Sequence, residues 1–329
     1  MILYEEGRLA LTDPVADFIP AFNDVRVYAG GSDLKQLTVP ATEPVRIWHL
    51  LTHTAGLTYG FHRVHPVDAM YRAAGFEWGT PPGTDLARAC DLWADLPLLF
   101  QPGTEWNYSV ATDVLGRVVE VASGQRLDEF FADRIFGPLG MTDTAFWAAP
   151  AVQPRLAALY TPGKDGKATR LDALGKPALR EPRMLSGGGG LVSTAADYNR
   201  FTQMLARRPD SPAGELRGVK LLGPRTVGYM TRNHLPGGVD LETFGRPLFA
   251  ESPFRGVGFG LGVAVMIDPV PGKVTGSAGE ISWGGAASTV FWVDQEADLT
   301  VSFFTQLLPS STYPVRAQLR QLIYQALTD

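Results

Sequence analysis

Tyr108 and Ser109 stand where the turn Gln101-Pro102-Gly103-Thr104 runs into the most regular apolar stripe of the chain. A tyrosine held by a Pro-Gly turn at the start of a helix can project its hydroxyl into a cleft. A nearby cation that lowers its pKa from about 10 would make it a proton carrier. The same pattern also fits a boundary tyrosine whose hydroxyl is simply satisfied. Ser282-Trp283-Gly284-Gly285-Ala286 forms a second candidate group ahead of a strand. Two glycines at the start of an edge strand let a ligand lie against the backbone and leave N–H groups to point at it. A bulge or bend would use the same glycines.

Three other patterns carry less chemistry. Ser32-Asp33-Leu34-Lys35 is the only place where a serine precedes a lysine by three. Ser-x-x-Lys chemistry needs both side chains on one face of a helix's first turn. This one follows Gly30-Gly31 and runs into Thr38-Val39-Pro40, which does not continue a helix, so it reads as a decoy. His62, His65 and Asp68 have the types of metal ligands, but Gly60 and Pro66 bracket the two histidines, and a closed site wants a fourth ligand and a helix to fix the spacing. They read as loop residues, and no metal is expected. No Gly-x-Ser-x-Gly occurs, which removes the Ser-His-Asp hydrolases built on a nucleophile elbow.

The elements that must position these residues belong to a chain of 329 residues, 45% hydrophobic and 19% charged, enough for a sizeable core. A net charge of −5 offers no basic field to nucleic acid or to an anionic membrane, so a small-molecule partner is expected. Cys90 is the only cysteine, so no internal disulfide forms, and it reads as a small buried apolar residue. No run approaches the length of a membrane span, and Met1 to Glu6 does not resemble a signal peptide; a cytoplasmic protein is expected.

Ile2 to Gly7 reads as the last turn of a helix closed by a left-handed glycine. Apolar spacing predicts helices over 45–51, from the cap Thr84-Asp85 to about Leu96, over Ser109–Ser123 closed by Gly124, over Leu127–Ile135, from the cap Thr194 onward, over Pro224–Met230 and over Pro314–Leu327. Residues 58–84, with scattered glycines, prolines and aromatics, read as an irregular, pocket-shaping excursion. Strands are expected over Gly258–Ile267, Ala286–Val293 and Leu299–Gln306, the last two as a hairpin. Helices first, then an antiparallel sheet backed by a terminal helix, is an α+β architecture.

Taken in order, several segments resemble the serine β-lactamase-related hydrolases. They are Glu5-Glu6-Gly7-Arg8-Leu9 through Asp13-Pro14-Val15, the signature His49 to Leu57 containing Leu-Leu-Thr-His-Thr-Ala-Gly-Leu, Pro102-Gly103 with Tyr108-Ser109, Phe136-Gly137-Pro138-Leu139-Gly140-Met141, Gly187 to Thr194, and Trp283-Gly284-Gly285. The last is similar to the tryptophan version of the Lys-Thr-Gly strand found in the carboxylesterases called family VIII. The resemblance implies an antiparallel sheet flanked by helices with an inserted, mostly helical subdomain, the β-lactamase/DD-peptidase-like fold. It also implies one catalytic domain over 1–329, with a mostly helical region about 12–235, a sheet-plus-helix region about 236–329, and residues 1–11 closing the nucleophile helix.

By the same resemblance, a serine attacks an ester carbonyl, Tyr108 carries the proton, and the Ala286 N–H stabilises the oxyanion. Ser109, Trp283, Gly284 and Gly285 face the substrate, a small-molecule ester, with no cofactor. In that family Ser-x-x-Lys opens the helix that Gly7 closes, about three turns earlier, so it would fall just before Met1, together with two strands. The 329 residues are therefore expected to be N-terminally truncated, inactive by themselves, and to bare a sheet edge at Leu299–Gln306. The alternatives are a non-catalytic ligand-binding or regulatory homologue, or a β-lactamase, peptidase or acyltransferase of the same fold.

Overall fold

Val110, Val114, Val118 and Ala122 recur at helical spacing, and all four are buried along a helix over Ala111–Ser123. Gly124, left-handed at φ +74°, ends it. The computed structural model describes residues 1–209, 211–246 and 254–328. Parts of the expected sheet-plus-helix region, 247–253 and Asp329, lie outside the described residues. The chain divides into two compact units: residues 1–132 with 182–191 and 244–248, and residues 133–181 with 192–243 and 249–329.

In the first unit the helices are α1 (Ile2–Glu5), α2 (Ile47–Leu51), α3 (Pro66–Ala73), α4 (Leu86–Ala94), α5 (Ala111–Ser123) and α6 (Leu127–Phe131). α1 closes as its sequence predicts: Gly7 N–H donates to the Tyr4 carbonyl at 3.0 Å and Arg8 N–H to that of Leu3 at 2.9 Å, with Gly7 at φ +68°. Leu3 packs with Ala122 and Phe130, which sets the short helix on α5. Gly116 lets neighbours approach α5 closely, since a Cβ there would lie 2.9 Å from Leu127 and 3.3 Å from Leu86.

The strands β1 (Arg26–Gly31) and β2 (Gln36–Pro40) form an antiparallel hairpin in the same unit. Ser32 and Lys35 are exposed in its turn, where the Lys35 N–H donates to the Ser32 hydroxyl at 3.2 Å. The Ser-x-x-Lys spacing here is hairpin geometry.

Residues 58–84 are more regular than expected, because they contain α3. His65 caps it by accepting from the Val67 N–H at 3.2 Å, Pro66 takes the first position, and Asp68 accepts from the Val64 and His65 N–H groups at 3.0 and 2.9 Å. A histidine in place of the usual Ser, Thr, Asp or Asn hides this start from a reading of residue types.

The second unit holds two small hairpins, β3 (Tyr160–Pro162) with β4 (Ala168–Arg170) and β5 (Glu215–Leu216) with β6 (Val219–Lys220). Its main sheet comprises β7 (Val257–Phe259), β8 (Ala264–Met266), β9 (Ile281–Gly284), β10 (Val290–Asp294) and β11 (Leu299–Phe303), in the order β11-β10-β9-β8-β7 and antiparallel throughout.

Two expectations are corrected here. The run Gly258–Ile267 is two strands joined at Gly260-Leu261-Gly262, with Gly262 at φ +92°. Ile281–Gly284 is a strand between β8 and β10, so the tryptophan-glycine segment lies inside the sheet, not on an edge. The expected strand over Leu299–Gln306 is β11, at one side of the sheet.

The helix Ala195–Leu205, capped by the Thr194 hydroxyl, rests Tyr198 against Phe291 and Phe304 at ring distances of 5.4 and 5.6 Å. The C-terminal helix Val315–Tyr324 is tied to the sheet by Arg320, which grips the buried Glu280 carboxylate at 2.6 and 2.5 Å. Among the described residues no helix is long and apolar enough to cross a membrane.

Candidate active site

The loop ahead of α5 is fixed residue by residue. Gly103, at φ +83°, donates its N–H to the Thr54 carbonyl at 2.8 Å. Trp106 is buried and donates its N–H to the Phe244 carbonyl at 2.9 Å. Asn107, also buried, donates its N–H to the His53 carbonyl and its amide to the Leu57 carbonyl, both at 3.0 Å. These bonds leave Tyr108 half-buried, its ring 4.9 Å from that of His53 and 5.2 Å from that of Tyr59.

The two tyrosines also share a hydrogen bond. The Tyr59 pKa is pushed well above its ordinary value by burial first, then by Tyr108 and Asp113. Ser109, expected to face substrate, is buried. Its hydroxyl meets His53 Nδ1 at 3.2 Å and accepts from the Ala111 N–H at 3.3 Å, a local turn that leads into α5.

The segment His49 to Leu57 forms the floor beneath Tyr108. Thr52 donates to the Trp48 carbonyl at 2.8 Å, and Gly56 is required at φ +84°, where a Cβ would lie 2.6 Å from the Phe100 carbonyl oxygen. His53 is buried, and its pKa falls from 6.5 to about 3, through burial first and His62 second. His62, whose Nδ1 lies 3.3 Å from the Thr58 hydroxyl, falls to about 4 through burial. Both are neutral imidazoles at physiological pH, so the Tyr108 ring lies on a neutral edge. Asp68 accepts from Thr58 at 2.8 Å besides its two backbone donors, so His65 and Asp68 are spent on capping α3.

Asp113 escaped the residue-type reading. It is buried in the first turn of α5 and accepts from the Ser186 hydroxyl and from the Gly188 N–H at 3.2 Å. Burial raises its pKa, and those two bonds oppose the rise. The glycine run can reach it only without side chains. A Cβ on Gly187 would lie 2.5 Å from the Thr112 carbonyl oxygen, and one on Gly188 would lie 2.8 Å from the Asp113 carboxylate and 3.0 Å from the Tyr59 hydroxyl. The two segments are 75 residues apart in the chain, and no local signal links them.

In the second unit the Trp283 ring meets Phe259 edge-on at 5.3 Å. Beyond it the backbone turns under a cation. Arg316 Nη2 donates to the carbonyls of Gly285 at 2.7 Å and Thr289 at 3.0 Å, while the Gly285 N–H donates to Thr289 at 3.0 Å. Gly284 leaves room for the guanidinium, since a Cβ would lie 2.5 Å from its carbon and would push the Arg316 side chain aside. Ala286 is exposed at this turn, and among the described residues nothing accepts from its N–H. Arg316 has no local signal either, being 31 residues from Gly285 in the chain.

The beta-lactamase family profile matches residues 1–325. The chain belongs to the β-lactamase family. Its fold is the α+β fold of that family, shared with penicillin-binding-protein-like esterases and acyltransferases. This β-lactamase-family chain is 36% identical over 313 residues to protein Rv1367c of Mycobacterium tuberculosis, covering 94% of the chain and 74% of the relative. It is 31% identical over 339 residues to esterase EstB of Burkholderia gladioli, covering 98% of the chain and 77% of the relative. Among solved structures it is similar to EstCE1, described as a hydrolase with promiscuous acyltransferase activity, with TM-score 0.78 and 27% identity over 98% of this chain and 80% of that one.

Proposed function

We propose that this protein is a serine hydrolase of the family VIII carboxylesterase type, acting on neutral carboxylic esters. The observation that carries the reading is Trp283-Gly284-Gly285 at the end of β9, where the β-lactam-binding version of the strand has Lys-Thr-Gly. A lysine there would attract the carboxylate of a β-lactam. The nearby cation, Arg316, donates to the Gly285 and Thr289 carbonyls. Neutral esters need no such charge.

In this reading a serine Oγ attacks the ester carbonyl while Tyr108 takes its proton. The Ala286 N–H donates to the oxyanion, and the proton passes to the departing alcohol. Water then attacks the acyl-serine with the same tyrosine as base, which returns the serine and releases the acid. Gly284 and Gly285 let the substrate approach the backbone, Trp283 supplies an apolar wall, and Ser109 holds the start of α5 in place.

The nucleophile and its lysine are not supplied by Ser32 and Lys35, which lie exposed on the β1–β2 turn. On this reading the 329 residues by themselves turn over no ester. The test is 4-nitrophenyl butyrate turnover by the 329-residue chain and by the longest in-frame product of its gene. Expected are no acyl-enzyme burst from the former and a Tyr108-dependent burst from a product that carries a helical Ser-x-x-Lys. A burst from the 329 residues, or none from such a product, would overturn the reading. The likeness to EstCE1 favours acyl transfer as a second outcome, read by adding a primary alcohol and measuring ester formed against acid released.

A further inference from the structure

The segment after Tyr59 builds a ladder of rings outward from Tyr108. Tyr59 and Phe61 stack at 4.6 Å with planes 18° apart, and Phe61 and Trp78 stack at 4.5 Å with planes 10° apart. The inner end is Tyr59, in ring contact and hydrogen-bonded with Tyr108. The outer end is Trp78, 48% exposed.

The ladder is held from behind. Gly60 lies so close to the Phe76 carbonyl that a Cβ would sit 2.2 Å from its oxygen, and Arg72 donates to the Gly60 carbonyl at 2.6 Å. An ion pair between Arg63 and Glu77 ties the Phe61 side of the loop to the Trp78 side. Three rings kept nearly parallel, the last with much of its surface in water, form a rigid apolar face beside the tyrosine assigned to proton transfer. The rings cover one another's inner faces, so the wall is a row of ring edges, and such edges favour the face of a flat ring over a saturated one of equal size, because edge-to-face contact adds to the burial of area.

We infer that Tyr59, Phe61 and Trp78 form a binding wall for an aryl group of the substrate. The inference takes its ester from the hydrolase reading, but it is tested by binding alone, so the two fail separately. The probes are acetophenone and its saturated counterpart cyclohexyl methyl ketone, neither of which can be hydrolysed, titrated into the 329-residue chain and followed by ligand-observed NMR.

Acetophenone is expected to bind about tenfold more tightly. Trp78→Ala and Phe61→Ala should abolish that preference and Trp78→Phe should restore most of it, with circular dichroism unchanged in the Trp78 variants. Equal binding of the two ketones, or a preference that survives Trp78→Ala, would overturn the inference. Retained aryl preference, alongside a gene product that carries Ser-x-x-Lys yet cleaves no ester, would sink the hydrolase reading alone.

Discussion

Arg316 Nη2 reaches the carbonyls of Gly285 and Thr289 at once, at 2.7 and 3.0 Å, and so clamps both ends of the turn that carries Ala286. A charge-assisted bond of this kind contributes about 1.5–3 kcal/mol. Arg316→Ala is expected to lower stability by that order and to speed amide exchange at Gly285 and Ser288, whose N–H groups donate within the turn to the Thr289 and Gly285 carbonyls at 3.0 and 3.1 Å. Arg316→Lys should recover only part, since an ammonium lacks the planar fork. Hydrogen-exchange mass spectrometry reads this directly, and unchanged exchange at Gly285 and Ser288 would rule the clamp out.

Asp113 yields a pH signature opposite to that of a salt-bridged carboxylate. Its folded pKa lies above the ordinary 3.8 because burial disfavours the charge. Its contribution to stability is thus complete below 3.8 and is lost as pH rises through the raised value. Asp113→Asn keeps an acceptor for Ser186 and Gly188 without the charge, so wild type should lose stability relative to it between pH 4 and 7. Asp113→Ala should cost about 1–3 kcal/mol at either pH, because two donors lose their acceptor. Urea titrations of the three proteins at both pH values decide the matter.

His53 should stay neutral far into acid. Its pKa drops from 6.5 to about 3. A depressed pKa contributes stability that is present above 6.5 and is lost as pH falls toward the folded value. The His53 ring proton is therefore expected not to shift between pH 7 and 5 in NMR spectra, and wild type should lose stability over that range relative to a His53→Gln variant. Titration of His53 near 6.5 would contradict its burial.

Adjacent glycines should respond differently to the same change. Gly188→Ala places a methyl 2.8 Å from the Asp113 carboxylate, whereas Gly189 has nothing within 4 Å of its Cβ position. The first substitution is expected to cost about 1–3 kcal/mol, an overpacking penalty, and the second to stay within about 0.5 kcal/mol. Thermal melts of both variants test the packing of the glycine run on α5, and equal melting points would refute it.

Much of this molecule was legible from residue types. The α5 stripe from Val110 to Ala122, the Gly7 and Gly124 terminators and the Thr194 and Asp85 caps all depend on neighbours within a few residues, where spacing and backbone preference suffice. The motif order around His53, Tyr108 and Trp283 likewise pointed to the family to which the chain belongs. Local patterns failed where one strand became two at Gly260-Leu261-Gly262, and where a histidine took the place of a usual cap at His65.

What only the tertiary structure decided is who meets whom across long stretches of chain. Asp113 finds Gly188, Arg316 finds Gly285, and Ser109 turns into the interior toward His53, 56 residues away in sequence. None of these follows from periodicity. Each is selected because a polar group removed from water must be satisfied by whatever the packed elements bring within reach.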